Sequence, residues 1–556
     1  MTMRGLSRNR LLAAIVVLTA VVALYLQTVN PAVLQIRNSD SATTTTATTS
    51  SQQQQSLLIA LAPGELPGYT GWARPERTLA GYFTLRESPR VGNGAVVPAG
   101  KDWMVHLQCQ GHADCATATS WFYVRAYGPA VITGQVTPVV SDKGSKGGRM
   151  YQVRFRPLDP GVYHVEVVLA FSQPPALQAF PLSADHPPVY YEGYLLPGFP
   201  MPLTVTDDSS ATTKPTSTTI ARQDLPFCQA HQLYEASTTT AMERARWLVT
   251  DKNHQRSHHL QTSKPDSASL VDYQKAFNSL GVTFEYAFKD CQLLPPSSQS
   301  DADPFKCLAD KRAKPQQMVH VILIGDSTMR LQKVAFEKQI VQQSTMNAQG
   351  KIQVSFIELY GGTLKCIRQT GPNVTTVLHS LAAQPNERRI VLFNTGMHDI
   401  HRLCGAEWTE DRQQYLSPHE QEQPCSTLYR QAVRSLADAV QQFSAELKLF
   451  QTTTAGWPKH GNYNVHWDPA YGQGLPMDPS FVERFNRLAL ETLKEDHFAK
   501  SNFKIVDGYW ITLARPDNRE TDRKVSTGKK LSHPGLEVVD AMVRVWTMLV
   551  IWTVCQ

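Results

Sequence analysis

The amino-acid sequence predicts an α/β three-layer domain with a parallel sheet, preceded by an all-β sandwich domain and an N-terminal transmembrane helix. Three observations favour this arrangement. The second half of the chain alternates apolar segments of strand length with segments of helical periodicity, the part before it carries short strands between turn residues, and an apolar run lies near the N-terminus. Repeated alternation of strand and helix is typical of a parallel sheet covered by helices on both faces.

The N-terminal apolar run predicts a membrane segment. Arginines within residues 1–10 precede LLAAIVVLTAVVALYL at Leu11–Leu26. Positive charge beside such a run stays in the cytoplasm, so we expect a cytoplasmic tail at 1–10, a signal anchor at 11–29 and a luminal C-terminus, although the run is on the short side of the ~20 residues that span a bilayer. The alternative is a signal peptide cleaved after Val-Val-Ala at 21–23, which would make the protein secreted.

Two polar segments divide the rest of the chain. Residues 30–64 are rich in Ser, Thr and Gln and predict a disordered stem, because they hold too few large apolar side chains to form a core. Residues 206–224 have a similar composition and predict a linker. Between them, at 65–205, short alternating strands such as those of YQVRFRPLDPGVYHVEVVLAF predict an immunoglobulin-like β-sandwich. Residues 225–556 then form the predicted α/β domain.

Composition argues against one class of function and indicates a compartment. The chain has 54 basic and 48 acidic residues, a net charge of +6, without a basic tract, so nucleic acid is not an expected partner. None of the nine cysteines lies in a C-x-x-C pattern, and disulfides are expected in an oxidising lumen. The predicted local pairs are Cys109 with Cys115 and Cys404 with Cys425. Asn373 begins an Asn-Val-Thr sequon and is a predicted glycosylation site.

A serine follows the buried strand of VILIGDSTMR directly. Ser327 comes after Gly325 and Asp326, at the C-terminal edge of the predicted parallel sheet, where active sites of such sheets lie. The motif alone leaves a second interpretation open, in which Ser327 or Thr328 only caps the following helix. Arg330, three residues further on, is either a substrate contact or half of a structural salt bridge.

Two further strand ends carry groups that can donate hydrogen bonds. Gly361 and Gly362 follow the second strand, and Asn394, Gly396 and His398 follow the third. A nucleophile beside such donors is what acyl transfer requires, because the donors stabilise the oxyanion of the tetrahedral intermediate. These residues therefore predict an oxyanion hole next to the serine.

The predicted general base is His533, just before the last helix. In this topology the loop after the fifth strand can return His533 to the edge that carries Ser327. The alternative is a loop histidine ahead of a helix-initiating proline. MHDIH at 397–401 has the wrong helical spacing for a two-histidine zinc site, and KHGNYNVHWD at 459–468 has the composition of an acceptor-binding loop, so no metal is expected.

Together these residues resemble the SGNH (GDSL-type) hydrolase superfamily. The blocks that carry the resemblance are Gly325-Asp326-Ser327, Gly361 or Gly362, Asn394 to His398, and His533. More narrowly, IGDSTMR, FNTG and the upstream FCQ, RARWLV, KDCQLLP and CLADK resemble the PC-esterase group. That group includes trichome-birefringence-like, sialic acid and capsule O-acetyltransferases, and a sandwich before such a domain is similar to the neurexophilin-and-PC-esterase proteins. The resemblance covers about residue 66 to the C-terminus.

The resemblance implies an SGNH-like catalytic domain and an O-acetyltransferase that acts on carbohydrate hydroxyls through an acyl-serine. It implies a Golgi or other secretory-pathway membrane, an acyl donor, a glycan or glycoprotein acceptor, and no bound cofactor. A multi-spanning acetyl-donor transporter is a candidate partner. The alternatives are a carbohydrate acetyl esterase with the same site and a catalytically inert glycan- or protein-binding membrane protein.

One position departs from the family pattern. The aspartate that the family places three residues before the histidine is Lys530 in this chain. Either His533 works in a dyad oriented by a backbone carbonyl, or another carboxylate orients it. Asp507, at a strand end, and Asp399 are the candidates. The departure also keeps the inert alternative open.

Overall fold

Strands account for most of the first half of the described chain. The computed structural model describes residues 79–86, 95–112, 119–139, 149–171, 194–207, 225–234, 244–251, 282–293, 318–343, 351–359, 373–381, 386–404, 416–455, 479–515 and 533–555. The strands are β1 (Phe83–Arg86), β2 (Ala95–Pro98), β3 (Trp103–Cys109), β4 (Trp121–Tyr127), β5 (Ala130–Thr133), β6 (Gln135–Val139), β7 (Met150–Phe155), β8 (Gly161–Phe171), β9 (Tyr194–Leu195), β10 (Met201–Thr206), β11 (Ala245–Asp251), β12 (Val282–Phe288), β13 (Met318–Gly325), β14 (Ile352–Glu358), β15 (Glu387–Phe393), β16 (Leu447–Gln451) and β17 (Lys504–Val506).

Helices are concentrated in the second half, where segments of helical periodicity connect the later strands. They are α1 (Ala230–Tyr234), α2 (Ser327–Gln343), α3 (Val374–Ser380), α4 (Met397–Cys404), α5 (Pro418–Gln421), α6 (Cys425–Gln442), α7 (Pro479–Leu493), α8 (Asp496–Ala499), α9 (Gly508–Leu513) and α10 (Leu536–Cys555). A short 3-10 turn at Leu79–Tyr82 precedes β1.

Two sheets pack face to face around an aromatic core. The first contains β1, β3, β7 and β6 in that order, and all of its pairs are antiparallel. β7 alternates half-buried and buried side chains along its length, so one face points to the core. Phe83 from the first sheet meets Phe122 from the second edge to face, with ring centroids 4.9 Å apart. This pair places the interior between the two sheets.

The second sheet runs in the order β12-β11-β5-β4-β8-β10-β2, with β9 beside β8. It is mixed, because β10 and β2 pair in parallel whereas the other pairs are antiparallel. Its two outermost strands on one side, β11 and β12, come from the part of the sequence assigned to the α/β domain. Trp247 of β11 lies opposite Val131 of β5, so the sheet crosses the predicted domain boundary.

The third sheet carries the candidate site. Its order is β14-β13-β15-β16-β17, and every pair is parallel. β13 is buried along almost its whole length, which is expected for a central strand covered on both faces. The C-terminal ends of β13, β15 and β16 therefore meet at one edge, which includes Gly325 and Asn394.

A single apolar core joins this third sheet to the outer face of the second. Tyr123 and Trp247 of the second sheet belong to the same buried cluster as Val321 of β13. The Tyr123 hydroxyl donates to the Leu513 carbonyl at 3.0 Å, and the Trp247 indole N–H donates to the Ile511 carbonyl at 3.0 Å. Both carbonyls lie on α9, so two hydrogen bonds attach α9 to the second sheet.

The predicted fold class is wrong. It separates an all-β immunoglobulin-like sandwich from a following α/β domain, whereas β11 and β12 extend the sandwich sheet and the two parts share a core. Strand pairing between distant segments leaves no local trace in sequence, which explains the error. Among the helices that the structure describes, none is long and apolar enough to cross a membrane. The predicted anchor at 11–29 and stem at 30–64 lie outside the described residues, as does 208–224 of the linker.

Candidate active site

The end of β13 delivers Ser327 to the first turn of α2. The strand ends at Gly325, where an added Cβ would lie 2.9 Å from the Met329 Cβ and 3.6 Å from the Asn394 Cβ. Glycine therefore lets the first helical turn and the end of β15 approach this point closely. Ser327 is half-buried at the helix start, where the backbone N–H groups have no intrahelical acceptor.

Asp326, rather than Ser327 or Thr328, caps this helix. Its Oδ1 accepts the Thr328 N–H at 2.8 Å and the Thr328 hydroxyl at 2.6 Å. Its Oδ2 is buried without a hydrogen-bond partner. An aspartate that accepts an N–H two residues ahead satisfies one of the unpaired donors of a helix start. The hydroxyl of Ser327 is thus not needed for capping.

The Ser327 hydroxyl instead meets an imidazole from the distant end of the chain. Ser327 Oγ and His533 Nε2 are 2.7 Å apart, although 206 positions separate the residues. Both residues are half-buried. A serine hydroxyl within hydrogen-bond distance of an imidazole nitrogen is the arrangement in which histidine can remove the serine proton.

The helices α2 and α10 pack against each other through buried side chains. The Trp546 ring of α10 lies 4.5 Å from the Phe336 ring of α2, centroid to centroid. The Trp546 indole N–H also donates to Gln332 Oε1 at 3.1 Å. All three side chains are buried. Ser327 begins α2 and His533 lies three positions before α10, so this packing joins the two helices next to the pair.

A buried carboxylate secures the first turn of α10, and sequence reasoning missed it. Glu537 Oε1 accepts the Phe284 backbone N–H of β12 at 3.0 Å, and Oε2 accepts from Arg515 Nη2 at 2.7 Å. The guanidinium carbon of Arg515 lies 4.0 Å from the Phe284 ring centroid. The available signal was an acidic residue in the first helical turn, four positions after His533.

Asn394, a predicted oxyanion donor, uses its side-chain amide elsewhere. Nδ2 donates to the Gln451 carbonyl at 2.7 Å and lies 3.5 Å from Thr453 Oγ1. The residue is buried, and its Oδ1 has no hydrogen-bond partner. The amide therefore joins the ends of β15 and β16 rather than offering an N–H at Ser327. The polar run QTTT, which begins on the last residue of β16, was the sequence signal for this junction.

Gly396 brings the start of α4 against the end of β16. Its φ of 143° lies in a region that L residues rarely adopt, and an added Cβ would lie 2.3 Å from Thr453 Oγ1. The Thr453 hydroxyl donates to the Thr395 carbonyl at 2.9 Å. His398 is half-buried in the first turn of α4. Asp399 is fully buried and accepts from the Thr395 hydroxyl at 2.5 Å.

Asp507, one of the two carboxylates that were candidates to orient His533, does not hydrogen-bond to that histidine. It caps α9, with Oδ1 accepting the Trp510 N–H at 3.0 Å and the Thr452 hydroxyl at 3.2 Å. It follows β17, which is three strands away from β13 in the sheet. Burial raises the pKa of this carboxyl to about 6, while its hydrogen bonds oppose the rise. Asp507 does follow a strand, as predicted, but that strand is at the edge of the sheet away from β13.

Of the other site residues that the sequence singled out, the structure describes Arg330 and Asn373. Arg330 is exposed, and its Nη1 lies 3.1 Å from Glu358 Oε1, so it forms the salt bridge that was one of its two interpretations. Asn373 is exposed and caps α3 through Oδ1. Gly361, Gly362 and Lys530 lie outside the described residues.

The structure contains two disulfides between described cysteines, Cys404–Cys425 and Cys228–Cys291. The first joins the end of α4 to the start of α6 and is a pair that the sequence predicted. The second joins the segment before α1 to the segment after β12 and was not predicted. Cys109 is disulfide-bonded, and its predicted partner Cys115 lies outside the described residues.

Comparisons with known proteins add little to this geometry. No protein-family model and no curated protein matches the chain. Among solved structures, the crystal structure of the Lin-41 filamin domain matches with 12% identity and a TM-score of 0.15, over 23% of this chain and 94% of that chain. A likeness at this level carries no argument about fold or function.

Proposed function

We propose that this protein is an O-acyltransferase that moves an acetyl group to a carbohydrate hydroxyl through an acyl-serine on Ser327, with His533 as general base. The observation that carries the proposal is the 2.7 Å contact between Ser327 Oγ and His533 Nε2 at the C-terminal edge of the parallel sheet. The contact supports acyl chemistry. The acetyl group and the carbohydrate acceptor are supported by the sequence blocks around Ser327 and His533.

In the proposed first step, Ser327 Oγ attacks the carbonyl carbon of the acetyl donor and its proton passes to His533 Nε2. The developing oxyanion is stabilised by N–H groups of the first turn of α2 other than that of Thr328, at the positive end of the helix dipole. Gly361, Gly362 and His398 are further proposed donors. His533 then protonates the leaving group, which departs and leaves acetyl-Ser327.

In the second step, His533 removes the proton of a sugar hydroxyl, whose oxygen attacks the acetyl-serine carbonyl. Collapse of the tetrahedral intermediate returns the proton to Ser327 and releases the O-acetylated sugar. Water in place of the sugar gives hydrolysis by the same residues, so exclusion of water decides between transferase and esterase. Because Asp507 caps α9, the proposal gives it no part in the proton transfer, and Glu537 fixes the first turn of α10.

The proposed compartment is the lumen of the secretory pathway. The disulfides Cys404–Cys425 and Cys228–Cys291 support an oxidising environment, because cytosolic thiols are normally kept reduced. The membrane anchor, the Golgi location and an acetyl-donor transporter as partner are proposed on the N-terminal sequence and the family resemblance alone.

The test uses p-nitrophenyl acetate as acyl donor and a mixture of neutral oligosaccharides as acceptors, with product masses followed by mass spectrometry. Wild-type protein should acetylate an oligosaccharide and carry a transient acetyl group on the Ser327 peptide. Ser327→Ala should do neither. Ser380→Ala is the matched control, because that exposed serine donates only to the Val377 carbonyl.

The outcomes separate the alternatives. Release of acetate with an acyl-Ser327 peptide but without acetylated sugar would assign the esterase. Turnover that survives Ser327→Ala would overturn the proposed site. No acyl-enzyme and no turnover with any acceptor in a folded protein would favour the inert binding protein.

A further inference from the structure

A second serine lies beside a histidine on the two strands at one edge of the parallel sheet. His320 is on β13, Ser355 on the neighbouring β14 and Glu387 at the start of β15. In the sheet register Ser355 lies opposite Ile322, and Glu387 lies opposite Met318. Positions 318, 320 and 322 share one face because side chains alternate along a strand. The three side chains of the cluster therefore lie on the same face of three adjacent strands.

Their distances match a proton relay. His320 Nδ1 is 2.7 Å from Glu387 Oε1, and His320 Nε2 is 2.7 Å from Ser355 Oγ. A carboxylate accepts a hydrogen bond, so a neutral His320 places its proton on Nδ1 toward Glu387. The lone pair of Nε2 then faces the Ser355 hydroxyl. A nucleophile, a base and a group that orients the base are the three parts of an activated serine.

The carboxylate of this cluster is itself held in place. Arg389 Nε donates to Glu387 Oε2 at 2.8 Å, and Arg389 Nη2 donates to the Leu381 carbonyl at 2.9 Å. The guanidinium also lies over the Phe443 ring, 5.0 Å from its centroid. Arg389 thus fixes the carboxylate that orients His320, which is the supporting contact that a reactive site needs.

The burial of the cluster limits what can reach it. The side chains of His320 and Glu387 are 3% and 2% exposed, whereas Ser355 is half-buried on the edge strand β14. Gln353, the next residue on the same face of β14, is exposed. Ser355 is therefore the member of the cluster nearest to solvent, and the base beside it is buried.

We propose that Ser355 is a second nucleophilic serine, activated by His320 and Glu387, that takes the acyl group of small uncharged esters. Ser355 Oγ forms a bond to the ester carbonyl carbon as its proton moves to His320 Nε2. The ester C–O bond then breaks, and the departing alcohol takes that proton. The product is acyl-Ser355, and attack by water regenerates the serine and releases the acid. The proposal does not depend on the activity proposed for Ser327.

The test treats the full chain with a small fluorophosphonate, which forms a P–O bond to an activated serine and releases fluoride. Ser327→Ala protein should carry the label on the Ser355 peptide by mass spectrometry. Adding His320→Gln, or Glu387→Gln, should slow that labelling by about 10²-fold, because the base is lost or misoriented. The Ser380 peptide of the same sample is the internal control and should stay unlabelled.

Folding is checked in each variant by circular dichroism and thermal unfolding. Folded Ser327→Ala protein without label on Ser355 would overturn the proposal, and this outcome requires no substitution at Ser355. Equal labelling of Ser355 and Ser380, or labelling unchanged by His320→Gln, would also overturn it. Label on Ser355 with none on wild-type Ser327 would keep this proposal and count against the function proposed for Ser327.

Discussion

Ser327 and Ser355 both lie 2.7 Å from the Nε2 atom of a histidine, yet they differ in their place in the sheet and in where the histidine comes from. Ser327 lies at the C-terminal edge of the sheet, in the first turn of α2, and its histidine comes from 206 positions away. Ser355 lies inside a strand, and its histidine is on the neighbouring strand, with Glu387 completing a relay.

The comparison separates two requirements of serine catalysis. A relay of serine, histidine and carboxylate raises nucleophilicity, whereas donors aimed at the oxyanion lower the barrier that follows. Ser355 has the relay but lies within a strand. Ser327 lies at the start of α2, whose N–H groups can act as such donors. Asp507, a candidate carboxylate for this site, caps α9 instead. We therefore expect turnover at Ser327 and slow acylation at Ser355, and the following predictions test that division.

The largest expected effect is on turnover. Ser327→Ala and His533→Ala should each lower acetyl transfer from p-nitrophenyl acetate by ~10³-fold or more, and the double variant should lose no more than either single one, because the two act as a unit. Ser355→Ala should change turnover by less than about twofold. Steady-state kinetics measure all four proteins. An equal loss in Ser355→Ala would mean that the two pairs are not independent.

Gly396→Ala should come next, because the added Cβ would lie 2.3 Å from Thr453 Oγ1 at a φ of 143°. We expect a loss of about 2–3 kcal/mol in unfolding free energy and roughly tenfold lower turnover, since the start of α4 must shift. Labelling of Ser355 should stay unchanged. Gly100→Ala is the control, since its φ is 78° but its added Cβ would be 3.7 Å from the nearest atom. A similar turnover loss in the control would refute the local explanation.

Trp546→Phe should have a smaller effect on turnover. It removes the N–H that Gln332 Oε1 accepts, so we expect about 1–3 kcal/mol of destabilisation and a few-fold lower turnover, because α10, which follows His533, packs less firmly on α2. Trp552→Phe is matched to it, because the Trp552 indole donates to the Cys228 carbonyl from the far end of the same helix. Urea unfolding and kinetics should show similar destabilisation but normal turnover in the control.

Asp507→Asn should leave turnover nearly intact and change the pH dependence of stability. Burial raises the folded-state pKa of Asp507 from 3.8 to about 6, so the folded protein binds more protons than the unfolded chain between these values. Stability from this group is therefore present below about pH 4 and lost as pH rises through about 6. The loss is about 2–3 kcal/mol, and Asp507→Asn should remove it. Thermal unfolding at pH 4 and pH 7 tests this, and a large turnover loss would restore Asp507 to the site.

Local sequence patterns predict the fold less well than they predict which strand ends come together. Apolar runs that end in Gly-Asp-Ser or Asn-Thr-Gly mark strand ends, and strand ends of a parallel sheet meet at one edge, so the approach of Ser327 to the region of Asn394 follows from local patterns. The pairing of β11 with β5 does not, because no local signal tells a strand which distant partner it joins.

Hydrogen-bond partners were the least predictable feature. Asp326 and Asp507 both follow strands and precede helices, and in each case the carboxylate caps the helix, which a strand-end argument alone does not distinguish from catalysis. His320 and Ser355 are isolated polar residues in apolar strands, where sequence indicates only a core position. Their contact depends on register between two strands, which becomes visible only in three dimensions.

The hydrogen bonds between the second sheet and α9 decide whether the two halves of the chain can unfold independently. Tyr123 and Trp247 donate to two backbone carbonyls of this helix, and both side chains share the core of the parallel sheet. The sandwich and the parallel sheet are therefore not independent folding units. Both halves should unfold as one cooperative unit. A destabilising substitution in the sandwich should therefore lower the fraction of folded protein, and with it the number of intact serine–histidine pairs, although it contacts neither serine.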